Sequence, residues 1–287
     1  MNFEGFIGYS PLESDQIASL KDVATEEEMG FGIVKRRLAV KNAEDAGRYG
    51  KRIGVYTTYD CTDEVYTSIR AARVIENVLV STVKSFVGYT KSSAVLVVGL
   101  GNGKIAADSL GQKVFDRIEI SGEKSEKCSR KHMVCAISTS VFGKTGIESA
   151  RLVFAVVREL KPKCVLLVDS LATNSAKRVG KSFQLSTAGL SPGGGVGKNS
   201  ERIDKDLLGV PVLSIGVPTL ITLSSVICGT IKDYSVKKGC EVDEYLIRST
   251  LMDKDLSAMV VAPKNVDAMV DNASVIVSNA INLALAD

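Results

Sequence analysis

Apolar positions recur along this chain with two different spacings, and the two alternate. Ala94-Val95-Leu96-Val97-Val98-Gly99 and Val165-Leu166-Leu167-Val168 are unbroken apolar runs, the second stopping on Asp169; Val210 to Val217 is a third, closed by Pro218-Thr219. Runs with no polar face are what strands buried on both sides of a parallel sheet require. Between them the spacing becomes helical. Thr62 opens a helix to about Val87, with Val65, Ile69, Ala72, Ile75, Leu79, Thr82 and Phe86 on one face. A helix from about Asp108 carries Leu110, Val114 and Ile118. Thr145 and Glu148 form a capping box for a helix through Val153, Phe154 and Val157 that stops at Lys161-Pro162. A helix starts near Thr219, and residues 240 to 258 are read as helical. Pro263 leads a last helix whose apolar face is Val266, Met269, Val270, Ala273, Ile276, Val277, Ala280 and Ile281.

Residues 31–41 and 52–59 alternate as antiparallel strands near an edge; 132–138, 183–186 and 259–261 are further strands. Residues 1–30, with the acidic Thr25-Glu26-Glu27-Glu28, show no periodic face and read as a terminal arm. Strands alternating with helices predict an α/β fold: a mainly parallel or mixed sheet with helices on both faces. No repeat or linker divides residues 1–287, so one domain is expected.

Composition narrows the function classes. The 287 residues are 45% hydrophobic and 24% charged, with a net charge of +3, too small to argue for nucleic acid or an anionic membrane as partner. Aromatic residues are 6% and Trp is absent, which speaks against a base-stacking platform. No uninterrupted apolar stretch reaches the roughly 18 residues of a membrane span, and residues 1–28 lack the basic and apolar regions of a signal peptide. The six cysteines include no CxxC pair; several lie inside apolar runs and read as small buried hydrophobes, and reduced thiols are the simplest account. The single histidine, His132, sits in a charged approach to a strand and reads as a surface or strand-edge residue. A zinc site built on two or three histidines is excluded, and any serine or cysteine triad would have to pass through His132.

Two glycine loops invite nucleotide readings and fail them. In Gly99-Leu100-Gly101-Asn102-Gly103-Lys104 the GxGxxG pattern needs glycine where Lys104 stands. In the tract Gly193-Gly194-Gly195-Val196-Gly197 a P-loop would need glycine at Pro192 and Ser or Thr at Asn199. Both are read as strand-to-helix turns or as places where a ligand approaches the backbone closely, which makes Gly101, Asn102, Ser191, Gly193, Gly194, Gly195 and Gly197 substrate-binding candidates. The glycine tract, with Ser191 and Thr187, could offer amide groups to a substrate backbone or an oxyanion.

Asp169 ends a buried strand, and Asp108 falls about nine residues after another buried strand ends, near a helix start. Asp108 alone fits a first-turn acid, and Asp169 alone fits a cap for the next element. Open α/β sheets bind ligands at the carboxyl edge, where both would lie. If they meet there, one keeps its proton and the other draws a proton from water, which is peptide hydrolysis without His, Ser or metal.

Four motifs then resemble the germination protease family of spore-forming bacteria. They are Val98-Gly99-Leu100-Gly101-Asn102 with Asp108-Ser109-Leu110-Gly111; Val141-Phe142-Gly143-Lys144-Thr145-Gly146-Ile147-Glu148; Val168-Asp169-Ser170-Leu171-Ala172; and Ser191 to Gly197 with Gly209-Val210-Pro211 and Gly216-Val217-Pro218-Thr219. Val260-Val261-Ala262-Pro263-Lys264 and the helix after it are also similar. The resemblance implies catalytic aspartates at Asp108 and Asp169, the fold of hydrogenase maturation peptidases, no metal or other cofactor, and a homotetramer in the cytoplasm of the spore core. It implies small acid-soluble spore proteins as substrates, with no nucleic-acid or membrane partner, and a zymogen that trims its own N-terminus. The family cuts after an acid and before a hydrophobic residue and Ala, which points to Asp22 and Val23, with 1–22 as pro-segment; Gln16-Ile17-Ala18-Ser19 is a second candidate. The chain departs from the family in being shorter between Thr219 and Met259, and in the loop 103–107. A metal-dependent maturation peptidase and a non-catalytic spore protein are the alternative readings.

Overall fold

The structure, a computed structural model, describes residues 24–88, 94–121, 133–193, 200–243, 247, 250 and 259–286. The three apolar runs become β4 (Ala94–Gly99), β6 (Cys164–Thr173) and β8 (Val212–Thr222). They lie side by side in the middle of a nine-stranded sheet of order β1-β2-β3-β7-β8-β6-β4-β5, with β9 (Val260–Val261) added to the end of β8. β5 is Met133–Ser138, and the pairings β5–β4, β4–β6 and β6–β8 are parallel. The other half is antiparallel: β7 (Ser182–Ser186) returns along β8, followed by β3 (Gly54–Asp60), β2 (Val34–Val40) and β1 (Ala24–Glu28). The α/β expectation therefore holds in its mixed form rather than its mainly parallel one.

Strand alternation sends odd and even residues to opposite faces, and each face has its own core. On one face, α3 (Ile69–Val87), α4 (Leu110–Phe115) and α9 (Val266–Ala286) pack Ile75, Leu79, Val114, Val277 and Ile281 on Val95, Val97, Leu166, Val168 and Ile215. On the other, α6 (Ser149–Leu160) lays Val153 and Val157 on Leu96, Val98, Val165 and Leu167. Helices thus cover both faces of the parallel half. By length and composition α9 could cross a membrane, but most of it is buried in this core.

Several element boundaries differ from the sequence expectation, each for a local reason. Thr62 does not cap the long helix: its hydroxyl accepts the Glu64 amide and opens the single turn α2 (Glu64–Thr67), after which extended Ser68 caps α3 through the Ala71 amide. Thr145 and Glu148 do not form a capping box. Thr145 ends the short α5 (Phe142–Thr145), and left-handed Gly146 follows it. The Thr145 hydroxyl is taken up locally by the amide and carbonyl of Ile147. Pro218 does not end β8. It sits where β6 and β8 slip register between Leu171 and Ala172, the kind of bulge that tolerates a residue with no N–H to give. β8 runs on to Thr222, which caps α8 (Leu223–Lys238) through the Ser225 amide. Of 240–258, only 240–243, 247 and 250 lie within the described residues.

The largest departure is at the N-terminal side. The acidic stretch read as an arm is strand β1, paired with the basic strand β2 so that Glu26 faces Arg36 and Glu27 faces Lys35. Glu27 meets Lys35 Nζ at 3.0 Å and Glu26 meets Arg36 Nε at 3.0 Å. Strand pairing and charge supply the order that no apolar face announced. Arg36 also binds Asp60 of β3, whose Oδ2 takes Arg178 Nη2 at 2.9 Å. Asp60→Ala removes the carboxylate these two guanidinium groups share, with Arg178 buried, and is expected to lower stability by about 3 kcal/mol. Glu27→Ala, at an exposed pair, should change it by no more than about 0.5 kcal/mol. Urea unfolding of both variants measures the difference.

Candidate active site

The two acids reach the same edge by different routes. Asp169 is the first polar side chain of β6 and is 5% exposed; its strand partner on β8 is Gly216. Asp108 ends a single 3-10 turn, Ala106–Asp108, at the close of the loop that leaves β4. That loop is fastened at every step. The Leu100 amide donates to the Val168 carbonyl at 2.9 Å and carries the β4–β6 pairing one residue past the strand. Gly101 then turns at φ +100. The Asn102 amide donates both to the Asp108 main-chain oxygen and to Asp108 Oδ2, each at 2.9 Å. Thr219 of β8 donates its hydroxyl to the Ala107 carbonyl at 2.5 Å. Three strands therefore hold the turn that carries Asp108.

Two glycines make this possible. A Cβ on Gly101 would lie 2.3 Å from the Asp108 main-chain oxygen and 2.8 Å from its Oδ1, and the positive φ excludes most side chains as well. A Cβ on Gly111 would lie 2.2 Å from the Leu100 oxygen and 2.7 Å from the Val168 oxygen. The first turn of α4 thus rests directly on the junction of β4 and β6. Ser170, next to Asp169, accepts the Leu110 amide at 3.3 Å and so ties the start of α4 to β6.

Burial holds the Asp169 carboxyl well above the ordinary carboxylate range, and the charge of Asp108 pushes it further the same way. The Ser170 amide, donating to Asp169 Oδ1 at 2.9 Å, works in the opposite sense and is outweighed. Desolvation dominates because a charge in this position has lost its water. The half-exposed Asp108 has an amide donor at Oδ2, which favours negative charge there. The arrangement can hold one proton on the buried carboxyl and a charge on the outer one.

The remaining candidates fall in different places. Gly101 and Asn102 build the Asp108 turn, and the Asn102 side chain accepts the Lys104 amide at 3.1 Å instead of facing outward. Ser191 and Gly193 open an excursion that begins and ends at the Leu190–Ile203 bridge; Gly194, Gly195 and Gly197 lie outside the described residues. Thr187 exchanges hydrogen bonds with Val55 at the end of β7 away from the aspartates. Asp22, Val23 and His132 are outside the described residues. Among the described residues no group of three or more His, Cys, Asp or Glu comes together as a metal site. Burial pushes the Cys164 thiol up to about 11 and the Cys61 thiol higher, opposite to what a thiolate nucleophile requires. Sequence reasoning missed the supporting parts played by Ser170, Gly111 and Thr219. Their only signal was adjacency to the aspartates or membership of the Gly-Val-Pro-Thr block.

A family model described as germination protease matches residues 10–249. A germination protease from Clostridium tetani is 34% identical over 268 residues, covering 86% of this chain and 83% of that protein. One from Caldanaerobacter subterraneus subsp. tengcongensis is 30% identical over 285 residues, covering 92% and 88%. One from Bacillus cereus is 30% identical over 243 residues, covering 81% of this chain and 65% of that protein. Among solved structures, the [NiFe] hydrogenase maturation protease HycI from Thermococcus kodakarensis aligns with 48% of this chain and 80% of its own at a TM-score of 0.32 and 16% identity, too slight a likeness to carry an argument.

The raised Asp169 carboxyl has a consequence for stability. The folded state keeps a proton that the unfolded chain releases near pH 4, so stability is full below that value and falls as pH rises toward the folded pKa. Asp169→Asn preserves shape and an acceptor for the Ser170 amide but cannot ionise. Its melting temperature should match wild type near pH 4 and exceed it increasingly toward neutral pH, as read by calorimetry across that range.

Proposed function

The chain belongs to the germination protease family, whose members are proteases of spore germination, and from that premise we propose that it is an endopeptidase that hydrolyses small acid-soluble spore proteins by means of Asp108 and Asp169. The observation that carries this reading is the buried Asp169 carboxyl within the electrostatic reach of Asp108. In the reaction, the ionised Asp108 takes a proton from a water molecule, whose oxygen attacks the scissile carbonyl carbon. Protonated Asp169 donates to the carbonyl oxygen. When the tetrahedral intermediate collapses, a proton passes to the leaving nitrogen and the carbon–nitrogen bond breaks, giving an acid and an amine. No cofactor enters. In this scheme the glycine tract after Ser191 supplies main-chain donors to the substrate backbone.

The proposal extends to processing and setting. The protein is made as a zymogen that cuts between Asp22 and Val23. Strand β1, downstream of that bond, is tied to β2 by the Glu26–Arg36 and Glu27–Lys35 pairs. It works as a homotetramer in the cytoplasm of the spore core.

Asp108→Asn and Asp169→Asn should each abolish cleavage of a purified small acid-soluble spore protein, by at least about a hundredfold in kcat, while circular dichroism stays that of wild type. Wild-type activity should also fall on the alkaline side as Asp169 loses its proton, at a pH well above the ordinary carboxylate range. Cleavage by both variants at the wild-type rate would refute the aspartate mechanism. Separately, intact-mass measurement of protein held at mildly acidic pH should reveal a product beginning at Val23, absent from the Asp169→Asn variant.

A further inference from the structure

The segment from Ser140 to Glu148 has no part in the site as described, and helix capping does not account for it. It joins β5 to α6 and is fastened to the rim beside β4. The Thr139 amide donates to the Gly99 carbonyl at 2.9 Å, and the Ser138 hydroxyl donates to Gln112 Oε1 at 2.5 Å. At its other end the Ser149 hydroxyl donates to the Ser140 carbonyl at 3.3 Å.

Its position follows from the strand alternation. Val165 and Leu167 of β6 pack under α6, so Asp169, two residues further on, belongs to that same face. The segment crosses the carboxyl edge on its way to α6 and therefore borders the Asp169 side of the crevice. β5 lies two strands from β6, so the segment starts about 10 Å from Asp169. An extended polypeptide with its reacting bond at the aspartates covers that distance in about three residues.

Besides Lys144 and Thr145, the segment exposes two large apolar side chains. Phe142 is 61% exposed and Ile147 is 51% exposed, and neither joins a core cluster. Fixed ends and two exposed apolar side chains beside the crevice have a common explanation.

We propose that residues 140–148 form a wall of the substrate crevice, in which Phe142 and Ile147 receive apolar side chains of an extended polypeptide. The proposal rests on the aspartate reading for the position of the reacting bond. The occupant is the substrate chain because the wall is continuous with the rim that carries the acids, and an endopeptidase must hold polypeptide beyond the bond it cuts.

The test uses the full chain with a purified small acid-soluble spore protein as probe. Phe142→Ser combined with Ile147→Ser should raise KM at least about tenfold and leave kcat within about twofold. Melting temperature and sedimentation should not change. Anisotropy of the labelled spore protein, read with wild type and the double variant, tests the wall whether or not turnover is seen. Equal affinity overturns it, as does a change in sedimentation with KM unaltered, which would assign the patch to a second copy of the chain. Absence of cleavage by wild type, with the affinity difference intact, counts against the aspartate mechanism and not against the wall.

Discussion

A carboxyl group that cannot easily become charged is the constraint around which the other parts of the site are arranged. Asp169 lies within β6 just past the end of its pairing with β4, 5% exposed, with the negative charge of Asp108 nearby. The site cannot open to water without relaxing the carboxyl to its ordinary range. The rigidity of the Asp108 turn follows from this need. The Asn102 amide, the Gly101 turn, the Thr219 hydroxyl and the seat of Gly111 on the β4–β6 junction all fix where the second carboxylate stands.

The sheet supplies that rigidity through its mixed topology. The parallel half brings the ends of β4, β6 and β8 to one edge, which is where the acids and their supports are found. The antiparallel half carries β7, β3, β2 and β1 away from it and ends in a strand held by charge as well as by pairing. Asp60, between Arg36 and Arg178, links that outer region to the chain around β7. The junction of the halves is β8, which pairs with β6, β7 and β9 along its length. A proline within it is accommodated by the slip in register.

The chain belongs to the germination protease family, and the aspartate mechanism proposed for it makes no demand on the single histidine. The rim segment 140–148 belongs to the same logic. It carries a family-like motif, yet its residues neither cap a helix nor fill the core, so their use is sought at the crevice.

The unbroken apolar runs determined by themselves that β4, β6 and β8 are central strands, because a chain buried on both faces cannot afford polar alternation. Helical spacing likewise revealed α3, α6 and α9, whereas the acid read as the end of a strand, Asp169, lies inside β6, which stays paired with β8 as far as Thr173. Only the tertiary structure decided the rest. β1 was illegible because its order comes from pairing with a basic neighbour 10 residues away, not from an apolar face. The cap at Ser68, the false box at Thr145 and the passage of β8 through Pro218 depend on backbone torsions and register that spacing does not encode. The proximity of Asp108 to Asp169, and the burial that keeps a proton on one of them, arise from a loop folded back across a neighbouring strand, a relation between distant positions that no local pattern contains.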